Sequence, residues 1–166
     1  MDDELVILLL NVDGLFLTGN EKQIVECKKK LAEEFEMKDL ELMHYFLGLE
    51  VWQSPEGIFL NQGKYVVEIL KGFDMLECKA MDTLMDTNLK LLVDELSELV
   101  DVAQYKHIIW SLMYLTNTRL DICFVVNTLS LYLVEPKRVH LVAAKHVMRY
   151  LKGTIGFGLY HEGFTC

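Results

Sequence analysis

Two short apolar runs on either side of a tight turn constrain the fold of this chain most strongly. Leu5–Leu10 and Leu15–Leu17 flank Asn11–Gly14, and an Asp-Gly pair favours a β-hairpin turn because glycine accepts a positive φ. The runs are apolar at successive positions, which indicates strands that are buried on both faces. The sequence therefore predicts an antiparallel hairpin with one carboxylate, that of Asp13, in its turn.

A helical period follows this hairpin. Apolar side chains recur every three or four residues over Glu21–Phe35, which predicts an amphipathic helix whose lysines face water. Asn20 precedes this helix and Gln23 lies three residues later, an arrangement that resembles a capping box. The first hairpin is thus expected to lead directly into a helix.

A second hairpin and helix repeat this order. Tyr45–Trp52 and Ile58–Gln62 are apolar and β-prone, and a turn that contains Pro and Gly separates them. From Lys64 onward the apolar residues again recur at helical spacing, and this helix is predicted to end near Gly72.

The remaining sequence is mostly helical. Residues 74–101 have weak periodicity, and we interpret them as a linker and a lobe boundary. Helices are then predicted over Val102–Leu115, Leu120–Leu133 and Val139–Lys152, and a short strand over Phe157–His161. Because the strands come in local antiparallel pairs, the fold class is α+β and not a doubly wound sheet.

Charge is distributed unevenly along the chain. The formal net charge of the 166 residues is -9, yet residues 102–166 carry seven basic and three acidic side chains. Residues 1–101 carry nine basic and 22 acidic ones. Phosphate binding needs clustered Lys and Arg, so tight binding of nucleic acid by the chain as a whole is disfavoured. Only the second part has the charge to face a polyanion.

The cysteines and the first apolar run bear on cellular location. The four cysteines form no C-x-x-C pair and have no histidine at ligand spacing, so neither a zinc site nor a disulfide framework is indicated. The acidic start and the six-residue run Leu5–Leu10 indicate neither a secretory signal nor a membrane span. We expect an intracellular protein of the cytoplasm or nucleus that is not secreted and has no membrane partner.

Six blocks of sequence occur in a characteristic order over nearly the whole chain. They are Leu15–Asn20, Phe35–Leu40, Tyr45–Val51, Gly57–Gln62, Ser111–Leu115 with Thr118 and Arg119, and Ala143–Thr154. In sequence and spacing these blocks resemble the reverse transcriptases of copia-type retrotransposons.

The resemblance implies a division of the chain into domains. Residues 1–73 would be a late palm remnant with a catalytic-turn hairpin and a primer-grip-like hairpin, and residues 74–101 a linker. Residues 102–155 would form a helical thumb and connection. Residues 156–166 would start a strand that leads toward a missing ribonuclease H domain.

The resemblance also implies a catalytic, metal-binding role for the first turn. Family members carry Tyr-Val-Asp-Asp in this turn, and with a carboxylate from an earlier strand they hold two Mg²⁺ ions for nucleotide addition. In this chain Asn11, Val12, Asp13 and Gly14 occupy the turn, so Asp13 matches the first aspartate and Gly14 replaces the second. The earlier strand and the fingers have no counterpart. Asp13 alone leaves the metal site incomplete, so we expect no productive Mg²⁺ binding and no polymerase activity.

The second hairpin supplies candidate contacts to nucleic acid. Its sequence resembles the element that grips the primer strand, which makes Trp52, Asn61, Gln62 and Lys64 the candidate residues. The alternative is an ordinary hairpin that faces solvent.

The last helix supplies a second set of candidates. Lys145, Arg149 and Lys152 recur at spacings of four and three, so they share one helix face that could lie along a template–primer backbone. The alternative is a solvated basic stripe opposite the apolar face of the helix.

Several residues depart from the family pattern. Trp110 and Glu41 stand where glycine is usual, and Ala80, Leu84 and Leu120 stand where proline is usual. In a packed helix pair, a Gly-to-Trp change is expected to cost about 1–3 kcal/mol by overpacking unless its neighbour has retreated. Scattered changes of this kind are typical of a decayed copy of an element.

The sequence therefore indicates a truncated fragment of a copia-type RNA-directed DNA polymerase that is inactive alone. The resemblance implies an RNA or DNA template–primer as its partner, together with other parts of the Pol polyprotein. Two alternatives remain. One is a non-enzymatic module, derived from the thumb, that binds nucleic acid or protein, and the other is an unstable pseudogene product.

Overall fold

The structure is a computed structural model, and it describes residues 5–11, 14–85 and 98–162. The chain divides into two units, Met1–Leu42 and Met43–Cys166. Antiparallel strands and helices make up both units, which confirms the predicted α+β class.

The first unit contains a hairpin followed by a helix. Strand β1 (Val6–Asn11) pairs antiparallel with β2 (Gly14–Gly19), and helix α1 spans Glu21–Glu34. Asn20 is the N-cap of α1, and its side-chain oxygen accepts a hydrogen bond from the backbone N–H of Lys22 at 3.0 Å. The hairpin and the helix predicted for this segment are confirmed.

The strands of this hairpin are not buried on both faces, and that prediction is wrong. Leu8 is 47% exposed and Leu10 is 75% exposed, and α1 has no buried residue. Two strands and one short helix have too little surface to cover both faces of a hairpin. The apolar runs therefore form strands without gaining the burial that their sequence suggested.

The second unit contains a four-stranded antiparallel sheet. Its strand order is β3-β4-β5-β6, and the strands are Tyr45–Phe46, Leu49–Ser54, Gly57–Asn61 and Gly158–Glu162. The turn between β4 and β5 contains the Pro that predicted it, and the Gly that also predicted it is the first residue of β5. The predicted final strand forms β6, and it joins the second hairpin by pairing with β5.

A tight turn divides the single strand that was predicted over Tyr45–Trp52. Leu47 has φ 47° and Gly48 has φ 79°, which are the two left-handed residues of a type I′ turn. The Tyr114 hydroxyl donates a hydrogen bond to the carbonyl oxygen of Leu47. The prediction was wrong at this point. Leucine disfavours left-handed backbone, so Leu47 gave no sign of the turn that Gly48 permits.

The main elements of the second unit outside the sheet are helices. They are α2 (Gly63–Gly72), α3 (Val102–Leu115), α4 (Cys123–Ser130) and α5 (Arg138–Gly153), and a 3₁₀ turn over Leu120–Ile122 precedes α4. All four were predicted, although the helix expected over 120–133 is shorter. Where the chain is described, no helix combines the length and the apolarity that spanning a membrane requires.

The apolar faces of these helices meet in one core. Its fully buried side chains include Val66, Leu70, Tyr105, Ile108, Ile109, Leu112, Leu115, Val126, Leu129, Val147, Met148 and Leu151. The helical spacing of the apolar residues, which predicted the helices, thus also placed this core.

The predicted linker connects two parts of the same unit. Of residues 74–101, the structure describes 74–85 and 98–101, and the backbone N–H of Met81 donates to the carbonyl oxygen of Arg149 at 3.1 Å. Helix α2 packs against α5, and β6 pairs with β5, so the segments before and after the linker share one fold. The names palm and thumb for these segments stay a prediction.

Two departures from the copia-type pattern have visible structural outcomes. Trp110 is 59% exposed on α3, so the overpacking expected for it is wrong. Glu41 has φ 63°, in the left-handed region that favours glycine. The backbone at Glu41 therefore keeps a conformation suited to the glycine that is usual at this position.

Candidate functional site

The predicted catalytic turn lies at the end of the first hairpin. Asn11 and Gly14 face each other as the last pair of the ladder, and Val12 and Asp13 lie outside the described residues. Gly14 is the first residue of β2. A Cβ at Gly14 would meet its nearest atoms in the ring of Phe16, at 3.9 Å. A Cβ at position 14 therefore clashes with no described atom beyond its chain neighbours.

The described residues do not fit a two-magnesium centre. Such a centre needs several hard oxygen ligands in close and fixed geometry. Within the described ranges, no group of three or more His, Cys, Asp or Glu side chains is placed to hold a metal ion. Asp13, the candidate ligand, lies outside the described residues, so the expectation of no productive Mg²⁺ binding stays a prediction.

Two of the four predicted primer contacts are internal. Asn61 is 4% exposed, and its amide donates to the carbonyl oxygens of Ile155 at 3.4 Å and Phe157 at 3.1 Å. Gln62 is 2% exposed, and its Oε1 accepts a hydrogen bond from Thr118 Oγ1 at 2.7 Å. A strand of nucleic acid on the surface would reach neither amide. Their hydrogen bonds connect the second hairpin to the segment before α4 and to the segment before β6.

The other two predicted contacts are exposed. The Trp52 ring has its centroid 5.6 Å from that of Phe59, and Trp52 keeps half of its surface open. The side chain of Lys64 is 70% exposed, and its ammonium lies 3.5 Å from the Glu50 carboxylate and 5.2 Å from the centroid of the Tyr45 ring. Both side chains are accessible to a ligand on this side of the sheet.

The basic face of α5 is partly occupied by the chain itself. Arg149 Nε donates to the carbonyl oxygen of Lys79 at 2.9 Å, and Lys152 Nζ donates to that of Cys78 at 2.5 Å. Lys145 is exposed. Arg149 and Lys152 thus hold the segment after α2 against α5, and the open stripe that the sequence suggested is reduced to Lys145.

A buried ion pair was not predicted from the sequence. Arg119 is 2% exposed, and it donates to both carboxylate oxygens of Asp121 at 3.0 and 2.8 Å and to the carbonyl oxygen of Thr154 at 3.0 Å. Burial acts to raise the pKa of Asp121, but the hydrogen bonds from Arg119 and Tyr150 and the charge of Arg119 lower it below its ordinary value. Because the charges are paired internally, this cluster supports the fold.

An alignment of aromatic residues across three strands was also not predicted from the sequence. Trp52 lies directly opposite Phe59, and Phe59 lies directly opposite Tyr160. The equal distance of Trp52 and Phe59 from the hairpin turn could have predicted the first pair. No local signal could have placed Tyr160, because β6 comes from the far end of the chain.

Comparison with known proteins decides the family. Residues 1–87, about half of the chain, match the family described as reverse transcriptase (RNA-dependent DNA polymerase). The chain belongs to the reverse transcriptase family. This confirms the assignment that the six sequence blocks suggested.

Relatives of this reverse transcriptase chain are transposon proteins. It is 36% identical over 157 residues to the retrovirus-related Pol polyprotein from transposon RE1 of Arabidopsis thaliana, a match that covers 94% of this chain and 11% of the relative. It is 32% identical over 166 residues to the Pol polyprotein from transposon TNT 1-94 of Nicotiana tabacum, covering 93% of this chain and 12% of that one. The chain therefore corresponds to part of the reverse transcriptase region of a copia-type Pol polyprotein.

A shorter relative covers a similar stretch. An uncharacterized mitochondrial protein of Arabidopsis thaliana is 40% identical over 154 residues, which is 92% of this reverse transcriptase chain and 64% of the relative. The chain thus spans less than two thirds of each of these relatives. No solved structure matches it.

Proposed function

We propose that this chain is a segment of a copia-type reverse transcriptase that contacts a template–primer and does not add nucleotides by itself. The observation that carries the proposal is Gly14 at the start of β2, in the position of the family's second turn aspartate. Without that carboxylate the turn loses much of the electrostatic stabilisation on which phosphoryl transfer depends.

Contact with an RNA or DNA template–primer is the second part of the proposal. Support comes from the Pol polyprotein relatives and from the exposed side chains of Trp52, Lys64 and Lys145. The described residues 102–162 carry seven basic and three acidic side chains, but Arg119, Arg149 and Lys152 donate to groups of the chain itself. The exposed Lys145 is therefore the candidate phosphate contact on α5. The other parts of the Pol polyprotein are the proposed protein partners.

We also propose that the chain is located inside the cell, in the cytoplasm or the nucleus. Cys27, Cys78 and Cys123 are all free thiols, which is the usual state in a reducing compartment.

A primer-extension assay tests the absence of catalysis. The purified chain, a primed RNA template, deoxynucleotides and Mg²⁺ are expected to give no extended product. The double variant Asn11→Tyr with Gly14→Asp is expected to be equally inactive, because the described residues offer no further ligand group. Urea denaturation of the variant checks that it is folded. Extension by either protein would contradict the proposal.

A further inference from the structure

Strand β1 has a backbone edge with which no other described strand pairs. β1 pairs with β2 on one side, and the two strands form a sheet of their own. The carbonyl oxygen of Leu5 accepts a hydrogen bond from the backbone N–H of Asn20 at 3.3 Å, so Leu5 directs its backbone groups toward the β2 side. Successive residues of a strand direct these groups to opposite sides. Val6, Leu8 and Leu10 therefore direct theirs away from β2.

The side chains of β1 are apolar and exposed on both faces of the hairpin. Ile7 and Leu9 lie on one face and are 55% and 56% exposed, and Leu8 and Leu10 lie on the other and are 47% and 75% exposed. Strand β2 is half-buried from Gly14 to Leu17, and helix α1 contacts it. The uncovered side of the hairpin is therefore the β1 side.

Strand β1 lacks the features that usually protect an edge strand from pairing. Such strands are commonly interrupted by a charge, a proline or a bulge. The sequence from Leu5 to Leu10 has no charged residue and no proline, and the register of β1 with β2 is continuous. A flat and apolar edge of this kind is a template for a further strand. The partner that it fits is an extended strand with aliphatic side chains on both faces.

A second copy of β1 meets this requirement. Among the described strands, β1 alone is apolar at five successive positions, from Val6 to Leu10. The formal net charge of the chain is -9, yet the residues from Val6 to Asn11 are uncharged, so two β1 edges meet without repulsion between them. The residues that direct backbone groups outward are also symmetric about Leu8. In an antiparallel pair, Leu8 lies opposite Leu8 of the second copy, and Val6 lies opposite Leu10.

We propose that β1 is a dimer interface, at which two copies of the chain pair edge to edge and antiparallel about Leu8. The strands then form one sheet in the order β2-β1-β1-β2. A two-stranded hairpin is marginally stable in water, and further strands with an apolar face stabilise it. The pairing is two-fold symmetric and uses the β1 edge of both copies, so it closes at a dimer. This inference is independent of contact with a template–primer.

Sedimentation velocity of the full chain, over about 1–200 µM, tests the interface. We expect a monomer that becomes a dimer as the concentration rises. Leu8→Lys should weaken dimerisation about ten-fold or more, because it places two ammonium groups opposite each other at the centre of the pair. Leu8→Val, which stays uncharged and β-prone, should dimerise nearly as well as the unsubstituted chain. The matched control is Leu131→Lys, because Leu131 is 77% exposed and follows α4 in the second unit.

Amide exchange measured by NMR locates the interface within the hairpin. The N–H of Leu8 faces the proposed second copy, whereas that of Leu17, its cross-strand neighbour, faces the other edge of the hairpin. At concentrations that keep the chain monomeric, both amides should exchange fast. As the dimer forms, exchange at Leu8 should slow about ten-fold or more, and exchange at Leu17 should not change.

Four results would overturn the inference. They are a monomer over the whole range, equal dimerisation by Leu8→Lys and Leu131→Lys, a dimer whose Leu8 amide exchanges as fast as that of the monomer, and growth into species larger than a dimer. Circular dichroism spectra that match the unsubstituted chain establish that each variant is folded. If Leu8→Lys disrupts the hairpin, exchange at Leu8 and Leu17 in the unsubstituted chain decides between the interface and its absence.

Discussion

Leu47 has a backbone conformation that its own side chain disfavours. Its φ of 47° completes the turn between β3 and β4, where Asn followed by Gly is the preferred pair. Left-handed backbone costs a residue with a Cβ about 1 kcal/mol relative to glycine. The turn nevertheless forms, because Gly48 accepts its own positive φ and Tyr114 binds the Leu47 carbonyl oxygen.

Replacing Leu47 by Asn should therefore stabilise the protein. We expect Leu47→Asn to raise the free energy of unfolding by about 0.5–1 kcal/mol, since Asn tolerates left-handed backbone. Little burial is lost, because Leu47 is 66% exposed. Urea denaturation measures the change, and Leu99→Asn is the control, since Leu99 is 67% exposed without a positive φ. No gain over the control would contradict the explanation.

At the scale of elements, the Arg119 cluster connects the start of α4 to the end of α5. Arg119 Nη2 donates to Thr154 Oγ1 at 2.7 Å, and its guanidinium lies 5.5 Å from the centroid of the Phe157 ring, just before β6. Tyr150 of α5 donates to Asp121 at 2.8 Å. These contacts bring β6 to the end of α5, from which it reaches the edge of β5.

Removing the Asp121 charge should weaken this connection. We expect Asp121→Asn to lower the free energy of unfolding by about 2 kcal/mol at neutral pH, because the Arg119 charge is buried and loses its partner. The loss should be smaller than for a fully buried pair, because the Asp121 side chain is one-third exposed and water screens its charge. Urea denaturation measures the loss, and the exposed Asp82→Asn is the matched control.

The effect of Asp121→Asn should depend on pH in a defined direction. The folded pKa of Asp121 lies below its ordinary value of 3.8, so its ionised form stabilises the fold above that pH. The contribution is lost as the pH falls through the folded pKa. The difference between the variant and the unsubstituted chain should therefore shrink as the pH falls below 3.8, and a constant difference would contradict this account.

At the scale of the whole molecule, burial is concentrated in the second unit. The helices α2 to α5 enclose a common core, whereas no residue described up to Leu42 is buried. A two-stranded hairpin with exposed leucines is marginally stable in water. The lack of buried residues in the described part of the first unit favours the alternative of an unstable pseudogene product.

Hydrogen exchange should show this contrast in the full chain. We expect amides of β1, β2 and α1 to exchange orders of magnitude faster than those of α3 and α5, because local opening of the first unit exposes little new apolar surface. Mass spectrometry of peptides from each element measures the rates. If the amides of the first hairpin were as protected from exchange as those of α3, the hairpin would be shielded from solvent. That result would contradict the alternative of an unstable product.

Local pattern determined which elements form. Apolar periods predicted α1 to α5, Asn20 predicted the start of α1, and the Pro-Gly turn predicted the pairing of β4 with β5. The ordered blocks also identified the family, because sequence similarity reflects common ancestry and can be seen without knowledge of the tertiary structure. Comparison of the turn with the family motif likewise showed that Gly14 replaces the second turn aspartate.

Tertiary structure decided which of those residues face solvent. Asn61 and Gln62 lie inside because the segments before α4 and β6 return to them, and Arg149 and Lys152 are engaged because the segment after α2 crosses α5. Tyr160 joins Trp52 and Phe59 only through the pairing of β6 with β5. Short-range spacing fixes local backbone geometry, but burial and cross-strand neighbours depend on contacts between residues far apart in the chain.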